Sequence, residues 1–172
     1  GGRGQGYDWP ASNHGLAVDP AGNVWIGGMG GMDTRILKFT GDGKFMAQYG
    51  EAVAMPAPAA RAGGADTAYA GVSPPAGRGR GGRGGRGGLP PALPPMSASM
   101  AAFGGAAAFA FDPAANQVFV ADGSRNRRIA VVDMNTGAIK RFFGAYGSAP
   151  DDAALPAYNP SDPPARQFGT PV

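Results

Sequence analysis

A single histidine, His14, lies in the stretch "NHGLAVDPAGNVWIGG" (residues 13–28), and the 172-residue chain contains no cysteine. The missing thiols exclude disulfides and thiolate chemistry. An imidazole, by contrast, can ligate a metal or exchange a proton near neutral pH, so His14 is the first candidate for chemistry. Asp19 and Asp112 each open an Asp-Pro turn, where a short carboxylate accepts the N–H groups of its own turn. Asp122 and Arg128 flank "GSRNR", and their opposite charges suggest a structural ion pair or hydrogen-bond bracket. No Gly-x-Ser-x-Gly, phosphate loop, paired-His motif or helix-loop-helix calcium site occurs. "GGMGGMD" (Gly27–Asp33) follows a strand pattern with no helix pattern after it, which excludes a dinucleotide fingerprint.

The elements that must position these residues are strands, and they come as a repeat. "GLAVDPAGNVWI" (Gly15–Ile26) returns as "AFAFDPAANQVFV" (Ala108–Val120), and "RILKFTGDGKFMAQYG" (Arg35–Gly50) returns as "RIAVVDMNTGAIKRFFG" (Arg128–Gly144). Leu16 and Val18 alternate with small neighbours, Asp19–Asn23 turns the chain, and Val24–Ile26 forms a second strand. Ile36–Phe39 is a third, Thr40–Gly43 a glycine-bearing hairpin turn, and Lys44–Tyr49 an outer strand. Val118–Val120, Ile129–Val132, the turn Asp133–Gly137 and Ala138–Phe143 repeat the plan. Trp25 and Phe119 hold matching positions and predict packing between blades. The fold class is therefore all-β, and four short strands in about forty residues are the pattern of a partial β-propeller.

These two segments resemble NHL repeats, the blades of a six-bladed propeller family. The Asp-Pro turn, the aromatic in the second strand, the Arg-Ile opening and the Gly turn occur in one order in both. The resemblance implies NHL-like blades at residues 13–50 and 108–144, a lead-in at 1–12, an insertion at 51–107, and an inter-blade crossing at 145–172 running toward a further blade. "HGLAVDPAGNVWI" is also similar to a segment of the peptidyl-hydroxyglycine amidating lyases. That likeness implies His14 as a zinc ligand near the axis and the carbonyl of Leu16 as a calcium ligand. Where that family carries a catalytic tyrosine after Asp-Gly, this chain has Ser124, so the likeness extends to the metals and not to the reaction.

Thirty-one glycines and seventeen prolines concentrate in the insertion between the modules. The tract "GRGRGGRGGRGG" (residues 77–88) carries Arg78, Arg80, Arg83 and Arg86, and without them the net charge of +3 becomes −1. The basic balance is local, with no aromatic interleaved, so nucleic acid is not an expected partner. The tract reads as a solvated rim loop, and Ala98–Ala110, with Met100 and Phe103, as a segment able to pack on the propeller or on another subunit. No apolar run approaches the roughly 20 residues that span a bilayer.

Blades bury both faces on neighbours, and arrays generally need about three units. The expected partners are thus further blades of a longer chain or identical subunits, with a protein, peptide or carbohydrate ligand. An extracytoplasmic binding or assembly module is the leading expectation. A zinc- and calcium-dependent lyase-like enzyme and a self-assembling filament are its rivals.

Overall fold

The computed structural model describes residues 6–54, 95–157 and 159–169. The Arg-Gly tract lies outside the described residues. The architecture is all-β: two four-stranded antiparallel sheets, each a simple meander. The first runs β1 (Asn13–Val18), β2 (Val24–Gly28), β3 (Ile36–Phe39) and β4 (Phe45–Tyr49) in spatial order; the second runs β5 (Ala106–Asp112), β6 (Gln117–Asp122), β7 (Arg128–Asp133) and β8 (Ile139–Phe143) likewise. One short 3-10 turn follows at Ala145–Gly147. Among the described residues no helix is long and apolar enough to cross a membrane.

The strands form where β-branched and aromatic residues alternate, and they end where Asp, Asn and Gly close the turns. Lys44, expected to begin the outer strand, instead closes the hairpin: Thr40 donates its N–H to the Lys44 carbonyl at 2.9 Å. β4 therefore starts at Phe45. Val18 pairs with Val24 and Leu16 with Ile26; in the second sheet Phe111 pairs with Val118 and Phe109 with Val120. The register thus equates the two sheets residue by residue. Both first strands also carry an irregularity near their starts, between Asn13 and Leu16 and between Ala106 and Ala108.

Successive strand residues face opposite sides, and one face of each sheet makes the common core. Trp25, Ile36 and Tyr49 of the first sheet pack on Val118, Val120, Ala130 and Val132 of the second, with Phe103 also enclosed. Trp25 lies 5.7 Å from Phe111 and 6.2 Å from Phe109, centroid to centroid. Burying each large side chain contributes roughly 2–3 kcal/mol. The sheets come closest where β1 meets β5: a Cβ on Gly15 would stand 2.6 Å from the Ala106 carbonyl oxygen, and one on Gly27 2.2 Å from it. Only residues without a side chain permit that approach.

Phe119 takes a different place from Trp25. It matches Trp25 in register but lies on the opposite side of the core, half-buried on the outer face of the second sheet, with Arg141 6.0 Å from its ring centre. The two sheets stack front to back, so equivalent positions cannot both lie in their single interface. Within Ala98–Ala110, Ala102 and Phe103 pack inside, whereas Met100 is exposed.

Candidate functional site

In an antiparallel meander the chain ends of β1, β2, β5 and β6 sort into two groups. The Asp-Pro turns lie at one end of the sheets. His14, the β2–β3 loop and the β6–β7 loop lie at the other.

At the first end Asp19 is a hub. Its Oδ1 accepts the N–H groups of Ala21 (3.0 Å) and Asn23 (2.9 Å), and its Oδ2 accepts the Trp25 indole N–H at 3.0 Å. Lys38 Nζ lies 3.4 Å from that carboxylate and 4.8 Å from the Trp25 ring centre, and it donates to the Met134 carbonyl at 3.2 Å. Burial pushes the Asp19 carboxyl up, but the donors Trp25 and Asn23 and the charge of Lys38 outweigh it and hold the group at about 2. Asp112, its equivalent, accepts the Ala115 N–H at 3.2 Å. Each carboxylate is engaged within its own turn or strand pair. Proton transfer at neutral pH is not what this geometry favours.

At the second end the Asp122–Arg128 pair is fully buried, with Nε 2.7 Å from Oδ2. Asp122 also accepts from the Gly104 N–H at 2.6 Å and from Asn126 at 2.9 Å. Burial nevertheless raises the Asp122 carboxyl, against the opposing pull of Arg128 and Asn126. The guanidinium of Arg128 spends its other N–H groups on the carbonyls of Ser97 (2.8 Å), Ser99 (2.5 Å) and Ala102 (2.9 Å). It therefore fastens the segment leading into β5 to the end of β7.

Three residues at the two ends escaped sequence reading. Arg125 donates to the carbonyls of Phe103, Gly104 and, on the other sheet, Gly31. Asp33 gathers the N–H groups of Ala11 (2.8 Å), Ser12 (3.0 Å) and Gly30 (2.7 Å). Lys38 carries its charge into the core. For Arg125 and Asp33 the sequence offered only a charge near glycines, since their partners are backbone groups, most of them distant along the chain.

His14 is exposed near the start of β1, in the irregular stretch before Leu16, and Leu16 is itself exposed. Ser124 has a left-handed backbone (φ 62°) and donates to the Met29 carbonyl at 3.2 Å. A cleft of about 260 Å³ opens nearby, lined by Asp8, Pro10, Asp33 and Arg35 among others. Arg35 pairs with Asp8 there. Among the described residues no group of three or more His, Asp or Glu side chains could hold a metal ion.

No family model, no curated protein and no solved structure matches the chain.

Proposed function

We propose that this chain is a pair of NHL-type β-propeller blades acting as a binding and assembly module. The reading is supported above all by one observation. Two meanders of equal register stack front to back, with their first strands converging, and each keeps an outer face that carries apolar side chains. Such faces call for further blades, from a longer chain or from identical subunits. The completed propeller would present its loop ends to a protein, peptide or carbohydrate in an extracytoplasmic setting. Engagement of Asp19, Asp33, Asp122, Arg125 and Arg128 by structural partners fits a scaffold better than an acid–base centre.

The test is to probe peptide and glycan arrays with the purified chain while measuring its metal content. Saturable capture of one ligand class by protein with little bound metal is the expected result. Stoichiometric zinc lost in His14→Ala, together with lyase turnover lost in the same variant, would replace the proposal. That second reading is favoured by the exposure of His14 at the start of a first strand, with the Leu16 carbonyl two residues on.

A further inference from the structure

On the first sheet the covered face presents Gly15 and Ala17 on β1 and the aromatic Trp25 on β2. The register places Ala108, Ala110 and Phe119 at the equivalent points of the second sheet, and these face outward. Ala108 and Ala110 are exposed and Phe119 is half-buried. The second sheet thus ends in the same small, small, aromatic pattern that the first sheet uses to hold it.

The converse holds on the other outer face. Phe109, Phe111, Val118 and Val120 receive Trp25 in the core, and their equivalents on the first sheet are Leu16, Val18, Val24 and Ile26. Leu16 is 71% and Val18 60% exposed. Beside Val24 and Ile26 runs a groove of about 310 Å³, walled by Tyr7, Trp9 and Phe39. The described lead-in packs its rings on β3 and β4: Tyr7 stacks on Phe45 at 4.6 Å and meets Phe39 edge-on at 5.3 Å. Leu16 and Val18 on β1 stay exposed, and Val24 and Ile26 on β2 are half-buried along the groove.

We propose that a second copy of this chain docks head to tail, with Phe119 of one copy seated against Leu16, Val18, Val24 and Ile26 of the next. A copy is the occupant because the required knob is displayed on the chain's own opposite face. The two contact surfaces differ, so the association is heterologous and propagates or closes into a ring. This inference rests on reading the sheets as equivalent blades.

Sedimentation velocity of the 172-residue chain, from about 1 to about 100 µM, tests it with two double variants. L16D/V18D blocks one face and A108D/A110D the other; all four side chains are exposed, and circular dichroism checks that both variants fold. Wild type is expected to shift to larger species with concentration. Each variant alone stays monomeric, and their equimolar mixture forms a one-to-one dimer through the one intact pair of faces. A wild type that stays monomeric overturns the inference, as does a variant that dimerises by itself through like faces. In either case the array result still decides the binding role separately. Should both double variants fail to fold, the single-cysteine variants L16C and A110C, each carrying a spin label on its thiol and mixed as two populations, supply the readout. Close pairing between labels on unlike faces is expected, and pairing only between like faces overturns it.

Discussion

Trp25 donates its indole N–H to Asp19 across 3.0 Å, so the turn of the first sheet is bonded to the side chain that fills the interface with the second. Turn geometry and sheet stacking are therefore one structural unit. Lys38 closes it from above the indole ring.

Replacing Asp19 with Ala leaves the Trp25 N–H buried without its acceptor and the Lys38 ammonium without its counter-charge. Unfolding in urea should show a loss of about 3 kcal/mol. Asp19→Asn keeps a side-chain acceptor and should cost about 1 kcal/mol. Equal losses in the two variants would mean that the carboxylate contributes nothing beyond shape.

The same carboxylate gives stability a sign in acid. Its folded value of about 2 lies below the ordinary 3.8, so its contribution is present above about pH 4 and is lost as pH falls through about 2. The stability gap between wild type and Asp19→Asn should narrow over that window and stay constant from pH 5 to 7. A gap unchanged at pH 2 would show that Asp19 is not held ionised by its donors.

Arg128→Ala strands Asp122 in the core and releases the carbonyls of Ser97, Ser99 and Ala102. The expected cost is about 3–5 kcal/mol, with new protease cuts between Met96 and Ala102. R128M/D122L removes both charges and should be less destabilised than R128A alone. Cleavage that leaves this segment intact in R128A would show that the guanidinium does not hold it.

Gly137 has a φ of +74°, and a Cβ there would sit 1.8 Å from Tyr49 Cδ1. Gly137→Ala should therefore lower stability by about 2 kcal/mol, measured by thermal unfolding. Combining it with Tyr49→Ala should cost less than the sum of the two single changes, because the clash is then gone.

The amino-acid sequence determined the local structure. Alternating apolar residues and Asp, Gly and Asn turns gave eight strands in two like modules, because strand period and turn conformation depend on neighbours along the chain. The pairing of Asp122 with Arg128 was legible for the same reason, the partners lying on adjacent strands and six residues apart. What covers what was settled by tertiary structure alone. Trp25 lies inside and Phe119 outside although their sequence contexts match, because a front-to-back stack of two sheets has one interface and two outer faces. Arg125 and the segment before β5 likewise took their places from backbone groups brought near only when the sheets met, and Asp33 from the lead-in folding back on its loop. A carbonyl or N–H has no sequence signature, and its partner is chosen by distance in space.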